Sequence, residues 1–199
     1  MIQMAGTPTP RGFVRDSMDV RLVILYVLRR VDAPLDFGTL VELCLQDDGV
    51  NYMNLAEMTE KLRQTGHLTK NEEGEISITR LGNDTSAEIE DSLAAILRKK
   101  LREAVDEWKR LQKRKEQFRT DIKEQPDGTF WVDLTLNSPM GEMMRLAIPT
   151  YSDNRAEMVK EAFFLHGDTL YSAVMEVIRE YERERLDEYR RWTDAEEFE

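Results

Sequence analysis

The stretch from Asn51 to Arg80 constrains this chain more than any other. It reads as a helix from Tyr52 to Gln64, a turn at Thr65-Gly66-His67, and a ribbon of two strands, Leu68 to Lys70 and Ile76 to Thr79, closed over Asn71-Glu72-Glu73-Gly74. Tyr52, Leu55, Met58 and Leu62 recur at three- and four-residue steps, which gives the helix an inner face. Ile76 and Ile78 alternate with Ser77 and Thr79, the pattern of a half-buried strand. Behind two earlier helical segments, this order spells a winged helix-turn-helix, a module most often employed in DNA binding.

Those earlier segments are legible too. Ser17 or Asp19 can cap a first helix whose apolar stripe is Val20, Val23, Ile24, Val27 and Leu28. Pro34 ends that segment, Asp36 can cap the next, and Leu40, Val41, Leu43 and Cys44 make a shorter helix that stops before Asp47-Asp48-Gly49. Asn51 then caps the third helix.

The candidate DNA-contacting residues follow from that register. Asn51 and Tyr52 open the third helix, and Asn54, Glu57, Lys61 and Gln64 lie on its outer face. Asn54 has the geometry to bond an adenine edge, Glu57 to accept from a cytosine amine, and Lys61 to meet a guanine or a phosphate. Glu57 and Glu60 also have a plainer explanation, because a carboxylate near a helix N-terminus favours the positive end of the macrodipole. Lys70 and Arg80 flank the ribbon tip and are its only basic candidates. The tip itself offers Glu72 and Glu73, which repel rather than neutralise phosphate.

Charge is uneven along the 199 residues, whose formal net charge is -11. Residues 1–84 carry net -4, residues 98–123 net +6 and residues 152–199 net -7. Attraction for phosphate is therefore local, centred on Arg98-Lys99-Lys100, Arg102, Lys109-Arg110 and Lys113-Arg114-Lys115, where a solvated helix facing the acidic C-terminus is the competing account.

From Thr85 the chain reads as one long helix, with Ile89, Leu93, Leu97, Leu101, Ala104 or Val105, Trp108 and Leu111 on a nearly heptad stripe. Such a helix either packs on its own C-terminal domain or pairs with a second subunit. The period then changes to two. Phe118, Thr120 and Ile122, then Phe130 to Leu136, then Met144 to Ile148 form three strands joined by turns at Pro126-Asp127-Gly128 and Asn137-Ser138-Pro139. That antiparallel meander has a greasy face, for which Arg155 to Leu165 and Thr169 to Tyr181 supply two covering helices with Val159, Phe163, Leu170, Val174, Val177 and Tyr181 inward. The expected class is α+β. The expected domains are an N-terminal arm (1–16), a winged helix (17–84), a linking or dimerisation helix (85–117), a sheet with helices (118–182) and a charged tail (183–199).

Several of these residues carry a resemblance. Asp19 to Pro34, Asn51-Tyr52, Gly66-His67-Leu68 and Ile78-Thr79-Arg80-Leu81-Gly82, continued through the meander into Ala156 to Ile178, resemble the bacterial domain-of-unknown-function family 4364 over most of residues 17–182. The resemblance implies a winged-helix fold of the PadR-like kind and a role as a transcriptional regulator. It brings no catalytic residue.

Other chemistry has little support. His67 and His166 belong to no metal-ligand pattern, and the ten glycines are scattered singly rather than gathered in a phosphate loop. Asp187-Glu188 sits in a charged stretch, where solvation explains it better than acid-base work. Cys44 reads as a small buried hydrophobe. We therefore expect no enzyme, no cofactor and no metal. The longest apolar run, Leu22 to Leu28, is far too short to span a bilayer, and Met1 to Pro10 lacks signal-peptide order, so the expected location is the cytoplasm. The expected partner is double-stranded DNA, bound by a homodimer. The alternative is a winged-helix interaction scaffold without DNA affinity. A small effector between the meander and its cover, near Trp131, Phe163, Phe164 and Tyr171, is a third expectation.

Overall fold

The computed structural model describes residues 13–14 and 16–196, with side chains through residue 189. The expected N-terminal arm, residues 1–16, lies outside them except at Phe13, Val14 and Asp16. Among the described residues the fold is α+β, with six α-helices, a two-stranded ribbon and a three-stranded antiparallel sheet. The chain divides into two compact units, Met1–Arg110 and Leu111–Glu199.

The first unit is built around α1 (Ser17–Val31). Its cap is Asp16 rather than Ser17 or Asp19, and the Asp16 carboxylate accepts from the N–H groups of Met18 and Asp19 at 2.8 and 3.1 Å. The expected single stripe also proves too narrow. Leu22, Leu25 and Tyr26 are buried along with Val20, Val23, Ile24, Val27 and Leu28, so α1 is enclosed on nearly every side. A helix that apolar cannot face water and must be covered all round. The cover comes from α2 (Phe37–Cys44), α3 (Tyr52–Gln64), and the ribbon β1 (Leu68–Lys70) with β2 (Ile76–Ile78). Asp36 caps α2 as expected, and Thr39, through its hydroxyl and its N–H, holds the Asp36 carboxyl below the usual range. Leu35 exchanges two backbone hydrogen bonds with Ile76, at 3.0 and 2.7 Å, so a third extended segment lies beside the ribbon.

Thr79, expected in the second strand, instead caps α4 (Arg80–Ile89). Its hydroxyl accepts from Gly82 N–H at 3.2 Å and donates to the Gly66 carbonyl at 2.7 Å. This fold-back presses α4 onto the turn after α3, where a Cβ on Gly82 would sit 2.3 Å from the His67 carbonyl oxygen.

The single helix expected from Thr85 is corrected. α4 ends at Ile89, a 3-10 turn follows (Glu90–Ser92), and α5 (Ala95–Gln117) begins afresh. The break lets two helices rather than one rod pack on α1. Leu93, Leu97, Leu101 and Val105 all enter the first unit's core, so this stretch of the heptad-like stripe is consumed within its own chain. Polar contacts fix the packing. Lys109 Nζ donates to the Arg30 carbonyl at 2.7 Å, Arg30 pairs with Asp106 at 3.1 Å, and Arg29 pairs with Glu90 at 2.9 Å.

The second unit contains the expected meander, β3 (Phe118–Glu124), β4 (Phe130–Ser138) and β5 (Gly141–Thr150), in spatial order β3-β4-β5. Phe118 faces Leu136, Ile122 faces Val132 and Leu146 faces Leu134, which gathers the apolar side chains on one surface. The cover differs from expectation. One continuous helix, α6 (Asp153–Glu196), replaces the two short ones. The expected break at His166-Gly167-Asp168 is absent because Gly167 serves contact rather than a turn. A Cβ there would lie 2.4 Å from the Phe118 ring, so the helix tolerates glycine's modest propensity cost to approach the sheet. Ala156, Val159 and Phe163 point inward as the sheet requires. Val174, Val177 and Tyr181, expected to be inward, are exposed because the helix outruns the sheet. At 1.5 Å per residue α6 is about 66 Å long, against about 34 Å for a ten-residue strand.

One polar device is suited to a stability measurement. Asp47 accepts from the N–H groups of Phe13, Val14 and Gly49 at 2.8, 3.1 and 3.0 Å, which pins the buried Val14 against the first unit. Partial burial opposes its charge, but the three N–H groups and Lys100 outweigh it and lower the carboxyl's pKa. A depressed folded pKa stabilises above the ordinary carboxylate value, and that stability disappears as the pH falls through the folded value. Asp47→Asn should therefore cost about 1–2 kcal/mol in urea unfolding at pH 7, with the difference from wild type shrinking steadily below pH 4.

Candidate functional site

The surface that the sequence reading offers to DNA is assembled by α3 and the ribbon. Leu55, Met58 and Leu62 anchor α3 to the core, which fixes the opposite face outward. Asn51 is the N-cap, as expected, and the cap is reciprocal. Asn51 Oδ1 accepts from Asn54 N–H at 3.0 Å, and Asn54 Oδ1 accepts from Asn51 N–H at 2.8 Å. Asn54 Nδ2 also donates to the Gly49 carbonyl at 3.1 Å. Both ends of the Asn54 amide are thus committed to holding the α2–α3 connection, and the adenine contact suggested by its register would require breaking the cap.

Tyr52 departs from the expected inner face. It is 57% exposed and meets Phe37 edge-on, with ring centroids 5.4 Å apart. The neighbouring Met53, which the sequence reading missed, is 75% exposed. It sits off the three-and-four stripe, which was the available signal. Farther along, the charges cancel in place. Lys61 Nζ lies 2.6 Å from Glu57, Arg63 grips Glu60 through two bonds of 2.8 and 2.7 Å, and Gln64 donates to the same carboxylate at 3.1 Å. The Arg63 hydrogen bonds pull the Glu60 carboxyl down to about 2.

The end of α3 is locked by its backbone. His67 N–H reaches the Leu62 carbonyl at 2.9 Å, and Gly66 N–H, at a φ of +76°, reaches that of Arg63 at 3.0 Å. His67 is a turn residue whose Nδ1 meets the Thr65 hydroxyl at 2.8 Å. Across the ribbon, Asn71 accepts from Glu75 N–H at 2.8 Å and closes the loop, leaving Glu72 and Glu73 exposed at the tip. Lys70 and Arg80 flank that tip, both exposed, with Arg80 3.9 Å from Asp84.

Residues 20–178 match the model of a family described as a domain of unknown function, DUF4364. The chain belongs to that family. No curated protein and no solved structure matches it.

The basic segment of this DUF4364 protein is less free than its composition suggests. Arg98 pairs with Asp91 at 2.6 Å, Arg110 with Glu107 at 2.6 Å, and Lys99 approaches Glu103 at 3.8 Å. Lys109 is bound to a backbone carbonyl at 2.7 Å. Arg114 is half-buried against α6. It donates to the Phe164 and Leu165 carbonyls at 2.5 and 3.0 Å, pairs with Asp168 at 2.7 Å, and lies 4.3 Å over the Phe118 ring.

The four residues expected around an effector share no single pocket: Phe163, Phe164 and Tyr171 pack with the sheet's apolar cluster, and Trp131 does not. Phe163 is core and lines a shallow apolar groove of about 290 Å³ with Val159, Ala162 and Leu170, while Phe164 borders a different depression with Lys115 and Glu161. Trp131 alternates onto the other face of β4. Cys44 is fully buried, and burial pushes its thiol up, beyond reactive use. Among the described residues no helix is long and apolar enough to cross a membrane, and no three His, Cys, Asp or Glu side chains are grouped to hold a metal ion.

If Asn54 is primarily a cap, Asn54→Ala should lower the unfolding free energy by about 1–2 kcal/mol in the absence of any ligand. Urea titration reads this directly. Unchanged stability would return Asn54 to the set of residues available for contact.

Proposed function

We propose that residues 17–84 form a winged helix-turn-helix and that the protein is a homodimeric, DNA-binding transcriptional regulator. The observation carrying this reading is the ribbon's third segment. Leu35, between α1 and α2, bonds to Ile76 of β2, so two helices, a third with a free outer face, and a strand-linked wing follow one another in the order that DNA-binding modules of this type use. The warrant comes from fold, and it is strengthened by the absence of anything covering the outer face of α3 among the described residues.

The grip would be light. α3 holds Lys61 and Arg63 against its own carboxylates, and the tip is acidic, which leaves Lys70 and Arg80 as the ribbon's cations. Few phosphate contacts mean weak binding by one copy and a shallow salt dependence. Two copies on one site compensate through the multiplied contact.

A second reading has its own observation. Tyr52 and Met53 present apolar surface where the helix enters, and the nearby charges need no external partner, which suits a protein-binding face. On that reading, Met53→Glu abolishes capture of a protein partner in crosslinking while the protein binds no DNA.

The two are separated by a mobility shift at low salt against fragments upstream of the protein's own gene. Glu57→Gln with Glu60→Gln releases Lys61 and Arg63 and removes two like charges from the phosphate side. On the DNA reading, the double variant should bind about tenfold tighter than wild type. Failure of both folded proteins to retard any fragment overturns DNA binding.

A further inference from the structure

The apolar face of α6 does not stop where the sheet stops. Phe163, Gly167, Leu170, Val174, Val177 and Tyr181 follow one another at steps of four and three, a heptad seam. Its first members lie on the sheet. Phe163 is 3% exposed, and Gly167 touches the Phe118 ring. Leu170, 39% exposed, borders a groove over Leu134 and Ile148 at the edge of the sheet, and the later members lie beyond its cover, with Val174 38%, Val177 67% and Tyr181 62% exposed, and Ile178 beside them at 44%. No described residue covers this end of the seam. A stripe that is core at one end and bare at the other calls for a second apolar surface of matching period.

We propose that this surface is the same stretch of a second copy, and that two α6 helices pair in parallel from about Leu170 to Arg185, each taking over for the other where its own sheet ends. The charges flanking the seam choose the occupant and its direction. With Gly167, Val174 and Tyr181 at the a positions and Leu170 and Val177 at the d positions, Glu180 falls at g and Arg185 at the following e. In a parallel pair g faces the partner's next e, so Glu180 of each copy meets Arg185 of the other, twice by symmetry. In an antiparallel pair g faces g, and Glu180 meets Ala173 or Asp187 instead. Within one chain Arg185 holds an exposed pair with Glu188 at 3.0 Å, which it can exchange at little cost. Glu184 at the next d position ends the apolar part of the seam, one residue before Arg185.

Two heptads are too short to make a stable pair from unstructured peptides, because helix nucleation is unfavourable. Here the nucleus already exists. The first half of α6 is held on the sheet by Ala156, Phe163 and the Arg114 bonds to Phe164 and Leu165, so association orders side chains rather than backbone.

This inference rests on the dimeric part of the function proposed above and is independent of DNA. The test is sedimentation equilibrium of the full chain without nucleic acid. Wild type should dimerise in the micromolar range or tighter. Val177→Glu, a substitution at an exposed site that leaves the monomer's circular dichroism intact, should weaken dimerisation about a hundredfold. Glu180→Arg and Arg185→Glu should each weaken it about three- to tenfold, and the double variant should recover most of the loss. A wild-type monomer at the highest soluble concentration, or a dimer indifferent to Val177→Glu, overturns the proposal. Absence of rescue in the double variant overturns the parallel direction. A dimer with these properties that retards no DNA leaves this interface standing and removes only the DNA reading.

Discussion

The burial of α1 on nearly every side is the constraint from which the first unit follows. Val20, Val23, Ile24, Val27 and Leu28 would be met by one layer of partners, but Leu22, Leu25 and Tyr26 demand a second. Fully burying each such side chain is worth about 1.5–3 kcal/mol, so no arrangement leaving one flank of α1 in water is competitive. Three helices and a ribbon cannot enclose it alone, and the remaining flank recruits the stripe of α5. This explains why the chain breaks at Glu90–Ser92: α4 covers one part of α1, and the stripe must be brought back across another.

The same constraint separates the two long helices. A heptad-like stripe alone does not say whether its partner is intrachain or a second copy. Leu97, Leu101 and Val105 are used up against α1, whereas Val174, Val177 and Tyr181 have nothing comparable among the described residues. The helix that looked like an association element from its spacing is structural, and the one that looked like mere cover is the better candidate. Which stripe is free depends on how much apolar surface each unit has left to cover.

Period and caps made most of the fold legible. Asp36 and Asn51 were found as caps because short polar side chains precede apolar runs, and the meander was found because its period of two survives through three strands. Local sequence is ambiguous where a residue has two competing uses. Gly167 resembles a helix stop but permits contact with Phe118, Thr79 resembles a strand residue but caps α4, and Asn54 resembles a base reader but completes a capping box. For Gly167 and Thr79 the deciding atom lies elsewhere in the fold, the Phe118 ring and the Gly66 carbonyl, whereas for Asn54 it is the nearby Asn51 N–H, which competes with the outward use of the same side chain. Outward position on a helix was legible for Glu57, Lys61 and Gln64, but their mutual pairing on α3 depends on rotamers that spacing permits without requiring.

That pairing bears on the DNA-binding reading proposed above. Each cation tied to a neighbouring carboxylate is lost to long-range attraction, since a neutral pair produces little field beyond a Debye length of about 8 Å at physiological salt. Binding would then rely on contacts made only after docking, when phosphate competes with Glu57 for Lys61 and with Glu60 for Arg63. Exposed pairs of this kind contribute about 0–1 kcal/mol each, so exchanging them is nearly neutral, and the gain must come from fit rather than charge. On that reading non-specific affinity would be suppressed by the same arrangement, because sliding contacts depend on the field that the pairing cancels. A site engaged by two linked copies would retain the benefit of fit, and a random segment of DNA would not.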